Sequence, residues 1–273
     1  MNKRLVQTEV QAGAAGPTSG VSAAKTTPDI SAAEWNTRVD LAAAHRIAEQ
    51  FRWTQLIYNH FTHRVPGEPE NFLVKPHDIM FREVTASSLL KLNLDGRPTG
   101  SNHNPDVNAS GFAIHTAVLK ARPDVNAVLH IHTSAGMAIS AHKDGLRFIS
   151  QASMRFYGYL AYHEYHGVAG IEEGELIVRD MGSTAKAMIL RNHGLLTVGR
   201  NIAEAMSRMN YLMSSIESQL QIEATGVHNI LEVPPKVCQH AAAQWDKLEN
   251  TGRLAEWPAM LRWMDQVASG FRS

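Results

Sequence analysis

The chain has 273 residues, 44% of them apolar, and its 26 Lys plus Arg balance 26 Asp plus Glu, so a sizeable core is possible and a net basic field is not. That balance argues against nucleic acid or an acidic membrane surface as partner and leaves small molecules and other protein chains. Cys238 stands alone, which excludes an internal disulfide and a cysteine-based zinc site and suits a reducing cytoplasm.

Residues 1–30 are rich in Ala, Gly, Ser and Thr and read as a flexible tail without a signal-peptide pattern. The domain is expected to occupy 31–273, with a helical extension from about 230. A helix is expected over 31–51, with Ser31 as N-cap and Glu34 in capping-box position. The run 56-LIYNHFTHRV-65, stopped by Pro66-Gly67, reads as a strand, as do 72-FLVKP-76 and the segment before the Asp95-Gly96 turn. A helix capped by Ser110 runs to Pro123, with Phe112, Ile114, His115, Val118 and Leu119 on one face. The buried strand 126-NAVLHIH-132 follows, then a helix over 133–142 and an extended stretch over 146–150. Residues 162–166 read as a Tyr/His-rich surface or interface loop, and 173–188 as a helix. Two apolar strands flank Asn192-His193-Gly194, a long helix runs from Ile202 to Thr225, and another spans 238–250. The apolar, Trp-rich segment 253–270 is expected to pack on its own domain or on a neighbouring subunit. No run approaches about eighteen consecutive apolar residues, so no membrane span is expected. Strands and helices mix without strict alternation, which indicates α/β architecture around a central, mostly antiparallel sheet.

Fourteen histidines is the unusual count. Side chains two apart on a strand share a face, so His130 and His132 project together while Leu129 and Ile131 enter the core. Paired imidazoles suit Zn2+ or a similar ion, and His193, beside Gly194, is the candidate third ligand. Spacing leaves the alternative of structural histidines open, because it does not show that two distant strands meet. His163, Glu164 and His166 form a second ligand-like cluster.

Several motifs occur together in a defined order: 38-RVDLAAAHRIAEQF-51, 83-EVTASSLLKLNLDG-96, 121-ARPDVNAVLHIHTSAG-136, 160-LAYHEYHG-167, 189-ILRNHGLLTVG-199 and 202-IAEAMSRMNYLMSSIE-217. Over roughly residues 32–225 the chain resembles the class II aldolase/adducin family, leaning toward adducin-head-like bacterial members. The resemblance implies a single-domain α/β/α sandwich that assembles as a homotetramer with sites between subunits. It also implies that His130, His132 and His193 bind one divalent ion, Zn2+ first, with Fe2+ or Mn2+ open because imidazole suits these too. In the family mechanism a hydroxy-ketone chelates the ion, which stabilises an enediolate as a C–C bond breaks or a proton leaves.

The resemblance also exposes a departure. The family's acid/base glutamate lies nineteen residues before the first metal histidine, and that position here is Gly111. Tyr157, His163 and Glu164 are candidate replacements. At the phosphate site of the sugar-phosphate aldolases this chain has Asn59-His60, His77-Asp78 and Ala109-Ser110. Asp78 would repel a phosphate, whereas Lys75, His60 and Arg64 would favour a carboxylate. Asn59, His60, Thr62, Asn108 and Ser110 are therefore expected to bind a small, non-phosphorylated hydroxy- or keto-acid, with lyase chemistry of aldolase or decarboxylase type. Two other classes stay in view: a non-catalytic adducin-like assembly module, favoured by Gly111, and an iron oxygenase on the same fold.

Overall fold

Five consecutive buried residues, Ala127–Ile131, form strand β4, and its alternation divides the molecule. Leu129 and Ile131 enter one core with Phe61, Ile189 and Leu195, whereas Val128 joins another with Met188, Leu196 and Val198. His130 shares the face of Val128, because strand side chains repeat with a period of two. The computed structural model describes residues 30–99, 109–167, 171–252 and 255–273.

Around β4 the sheet has seven strands: β1 (His60–Val65), β2 (Glu68–Val74), β3 (Leu90–Asn93), β4, β5 (Leu160–His163), β6 (Ala187–Leu190) and β7 (Gly194–Gly199). Their order is β3-β2-β1-β4-β7-β6-β5, and every pairing is antiparallel except β5 with β6. Helices α1 (Ala32–Gln50), α6 (Ile202–Glu223) and α8 (Glu256–Val267) bring Ile47, Met206, Met209, Trp257 and Met264 to the first core. Helices α2 (Ala109–Ala121) and α5 (Ile171–Met181) bring Ile114, Val118, Leu119 and Ile177 to the second. The result is a three-layer α/β/α sandwich. Completing it are α3 (Ser134–Ser140), α4 (Gln151–Met154) and α7 (Pro235–Asn250). No helix among the described residues is long and apolar enough to cross a membrane.

Several expectations shift for local reasons. Ser31 accepts from the Glu34 N–H at 3.1 Å, but the Glu34 carboxylate pairs with Arg38 and Lys91 instead of closing the capping box. β1 starts only at His60, because Leu56 (φ 52°) and Asn59 (φ 78°) adopt left-handed backbone that breaks an extended run. α2 begins at Ala109, so Ser110 lies inside its first turn and is not the cap. The helix expected over 173–188 ends at Met181, where Gly182 turns with φ 60°, and the chain re-enters the sheet as β6. Residues 160–163, read in part as loop, form the parallel edge strand β5. Residues 146–150 pair with no strand among the described residues. The Trp-rich C-terminus packs on its own fold, with Trp257 Nε1 donating to Asp40 Oδ1 at 3.1 Å.

α7 is fastened by charge. Glu249, 5% exposed, meets Arg155 at 2.6 Å, Arg208 at 2.7 Å and Lys186 at 3.0 Å. Burial alone would raise this carboxyl, but Arg208, Arg155 and Lys186 more than offset it and hold it at about 2.

Candidate metal centre

β4 carries His130 at its end and His132 just beyond, and the turn between β6 and β7 carries His193. The β4–β7 register, with His130 opposite Leu196 and Ile131 opposite Leu195, brings that turn over the end of β4. The three rings stand 4.5, 4.7 and 4.8 Å apart between centroids, and one ligand nitrogen from each lies within 4.8 Å of the others. The three histidines singled out in the sequence thus converge.

One backbone carbonyl and one side-chain amide decide which ring nitrogens face inward. His130 Nδ1 lies 2.9 Å from the Leu195 carbonyl oxygen, which can only accept, so Nδ1 carries the proton and Nε2 presents a lone pair. His132 Nδ1 is held at 2.8 Å by Gln55 Oε1 in the same sense. The two Nε2 atoms then face each other at 2.7 Å. Two lone pairs at that separation repel unless a cation or a proton lies between them. Burial, reinforced by His132 and His193, pushes His130 well below the usual histidine range. Burial and then His193 bring His132 to about 4. Burial also lowers His193, with the Glu173 carboxylate opposing it. Neutral imidazoles with fixed inward lone pairs are the protonation state that ligation requires.

Gly194 makes the close approach possible. A Cβ there would lie 2.6 Å from the Ile131 carbonyl oxygen and 2.8 Å from His132 Cδ2. The loop before β1 supplies Gln55, and three of its non-glycine residues, Arg52, Leu56 and Asn59, have positive φ. Such outliers persist only where surrounding structure holds them. Asn59 Nδ2 helps to do so by donating to the Trp53 carbonyl at 3.1 Å.

On the face of His130 lie two further histidines. His60 is its register partner on β1, and His115 from α2 shares a 2.8 Å hydrogen bond with the Thr62 hydroxyl. Burial, then His115 and Lys75, push His60 well below its usual range, and burial alone brings His115 to about 3. The Nε2 atoms of both are buried without a hydrogen-bond partner among the described residues. Gly111 sits one helical turn before His115 on α2 and offers no side chain.

The remaining expected residues divide. His60 adjoins the triad, and Asn59 is 1% exposed with an unpartnered Oδ1. Thr62 is fully buried with its hydroxyl shared with His115, so it braces the site instead of lining it. Ser110 lies in the first turn of α2, and Asn108 lies outside the described residues. Tyr157 packs edge-on against Phe148 beyond α4, and nothing among the described residues joins it to the triad. The Glu164 side chain is 76% exposed, 3.9 Å from Arg191. His163 is buried, with Nδ1 2.7 Å from Asp180 Oδ2 and Nε2 3.6 Å from Glu173 Oε1. Neither cation expected to attract a carboxylate is free to do so. Lys75 Nζ donates to the carbonyls of Pro76, His77 and Ile79, and Arg64 donates to those of Pro69, Leu119 and Val125 near the opposite end of β1 from His60. Sequence reasoning passed over Gln55, Glu173 and Asp180. Only their placement in space gives them significance.

The comparisons with known proteins bear on the family and the fold. Residues 39–220 match the family model described as Class II Aldolase and Adducin N-terminal domain. A solved aldolase II superfamily protein from Pseudomonas syringae is 39% identical, with a TM-score of 0.85 over 90% of this chain and 98% of that one. An L-fuculose 1-phosphate aldolase from Glaciozyma antarctica is 28% identical, with a TM-score of 0.77 over 90% of this chain and 97% of its own. Alpha-adducin of Rattus norvegicus is 44% identical over 203 residues, which is 72% of this chain but 27% of that much longer protein. With the family model matching two thirds of its length and an α/β/α fold shared with aldolase structures, the chain belongs to the class II aldolase and adducin family.

Proposed function

We propose that the protein is a metal-dependent carbon–carbon lyase, of aldolase or decarboxylase type, acting on a small non-phosphorylated hydroxy- or keto-acid. The observation that carries this reading is the pair of inward Nε2 lone pairs on His130 and His132, set by the Leu195 carbonyl and Gln55 and closed over by His193. This donor set fits one divalent ion, Zn2+ first, with Fe2+ and Mn2+ as further fits to imidazole. When bound, the ion would supply Lewis acidity where negative charge develops on substrate oxygens. The chain's own part is to hold three neutral imidazoles in place and to exclude water with the two cores beneath them. His60, opposite His130 across the sheet, has an Nε2 unpartnered among the described residues, which a substrate's hydroxyl or carbonyl group could meet once the site opens to admit it.

A non-phosphorylated substrate is supported by the side chains where related aldolases hold phosphate. Lys75 and Arg64 are engaged by backbone carbonyls, and Asp78 adds a negative charge. Assembly as a homo-oligomer, a tetramer with sites between subunits, belongs to the same proposal, as does the division into a tail at 1–30 and one domain at 31–273. Light scattering tests the first and limited proteolysis the second.

Gly111 favours a second reading, a non-catalytic assembly module akin to the adducin head, to which 44% identity over 203 residues adds weight. Metal analysis of untagged protein separates the two. A stoichiometric transition metal, lost in the His130→Ala/His132→Ala double variant, supports the enzyme; its absence leaves the module. The identity of the metal also decides whether an iron oxygenase need be considered.

A further inference from the structure

The lyase reading lacks a group to move the proton, because the glutamate of the aldolases is glycine at position 111. One buried assembly, on the strand paired with the one that leads into the His193 turn, has the chemistry to do it. His163 ends β5 level with Leu190 of β6, and its carbonyl accepts from the Arg191 N–H at 2.8 Å. Its ring therefore stands one strand beyond the turn that carries His193. On one side of the ring, Asp180 accepts from Nδ1–H at 2.7 Å. On the other, Glu173 Oε1 lies 3.6 Å from Nε2, which has no hydrogen-bond partner among the described residues. Both the ring and Glu173 are buried, at 2% and 8% exposure.

Glu173 and Asp180 are seven residues apart on α5, close to two helical turns, so one face presents both carboxylates to the ring. Gly174 lets that helix settle on α2, since a Cβ there would lie 2.9 Å from Ala117 Cβ and 3.4 Å from the Ala113 carbonyl oxygen. The first turn of α5 is thereby placed against the part of α2 that follows Gly111. Asp180 accepts the Nδ1 proton, and Glu173 Oε1, 3.6 Å from Nε2, stands where a small approach would let ring and acid exchange a proton. The arrangement sets two carboxylates around one buried imidazole, a grouping suited to passing a proton.

We propose that Glu173 is the proton-transfer group of this site, with His163 and Asp180 as its positioning residues, an inference that rests on the lyase reading above. In the cleavage direction the substrate's β-hydroxyl O–H bond breaks and its proton passes to the Glu173 carboxylate. The aldehyde C=O forms as the C–C bond breaks, and that bond's electron pair stays on the carbonyl-bearing fragment. The proton on Glu173 then returns to that fragment's carbon, so the balance closes without a further reagent.

The test follows solvent deuterium exchange at carbon by NMR in a set of three- and four-carbon hydroxy-keto acids, hydroxypyruvate among them, using metal-loaded protein. Glu173→Gln, nearly isosteric, is expected to slow exchange by about 10²–10⁴-fold, the usual span for general acid–base catalysis, while metal content stays at the wild-type level. Formate is expected to restore part of the rate in Glu173→Ala, a rescue that a structural role would not allow. In metal-free protein, Glu173→Gln should move the His163 ring ¹⁵N signals and leave those of His130 and His132 in place, and Asp180→Asn should shift the proton on Nδ1. If the wild type exchanges none of these acids, the lyase reading falls and takes this inference with it. If the wild type exchanges and Glu173→Gln retains the rate within about threefold, this inference alone is overturned.

Discussion

The Leu195 carbonyl oxygen accepts from His130 Nδ1–H at 2.9 Å, and this one bond couples the sheet ladder to the chemistry of the site. Leu195 belongs to β7, the strand paired with β4, so the partner strand of His130 also sets its tautomer. A backbone acceptor cannot be removed by substitution, which makes this half of the triad resistant to change.

The other half is open to mutation at Gln55. Gln55→Ala removes the acceptor that orients His132 and is expected to weaken metal binding about 10–100-fold, the usual cost of losing such a partner. Gln55→Glu should tighten binding, because a carboxylate makes the imidazole a stronger donor. Calorimetric titration with Zn2+ measures both. Equal affinity in all three proteins would remove Gln55 from the site.

Gly194→Ala places a methyl group 2.6 Å from the Ile131 carbonyl and 2.8 Å from His132 Cδ2, both too close to accept. Overpacking of this kind typically costs about 1–3 kcal/mol, and here the strain falls on a ligand. Urea denaturation should show the loss of stability, and metal titration a parallel loss of affinity of at least about tenfold.

Glu249 predicts an acid limb. Its carboxyl is held at about 2, below the ordinary value of 4.5. A depressed acid contributes stability that is full above the unfolded value and is lost as pH falls through the folded one. The wild type should therefore lose stability progressively from about pH 4.5 toward 2. Glu249→Gln should flatten that limb, and Glu249→Ala should cost about 3–5 kcal/mol at neutral pH by leaving Arg155 and Arg208 buried without it. Denaturation curves against pH check both.

Calorimetry with L-fuculose 1-phosphate should give no binding at millimolar concentrations, even with metal present. Tight binding would overturn the non-phosphorylated assignment, since Lys75 and Arg64 would then have to leave the carbonyls they now serve.

The sequence was most informative where periodicity and chemistry coincided. The short apolar run in 126-NAVLHIH-132 identified the strand, its period of two gave the shared face of His130 and His132, and the capping Ser31 placed the start of α1 within one residue. It was least informative where tertiary pairing decides. The segment 160-LAYH-163 is too short to announce itself as a strand and becomes one only because β6 lies beside it. The helix over 173–188 was read too long because the polar break 182-GSTAK-186, which opens with the left-handed Gly182, was taken as part of the helix. Within the site, the three histidines that converge were legible from residue type and motif. Gln55, Glu173 and Asp180 were not, because each gains its role from the ring that the fold sets beside it.

The loop with left-handed backbone at Arg52, Leu56 and Asn59 gives the triad two unlike supports. His130 is clamped by a sheet strand, whereas His132 is steered by a side chain from a loop held in a sparsely populated conformation. A metal of different radius would be accommodated from the His132 side, by a shift in the loop and not in the sheet. On the metal-dependent reading, selectivity among ions would then be tuned by a segment outside the three histidines, and residues 52–59 are where a redesign for another metal would begin.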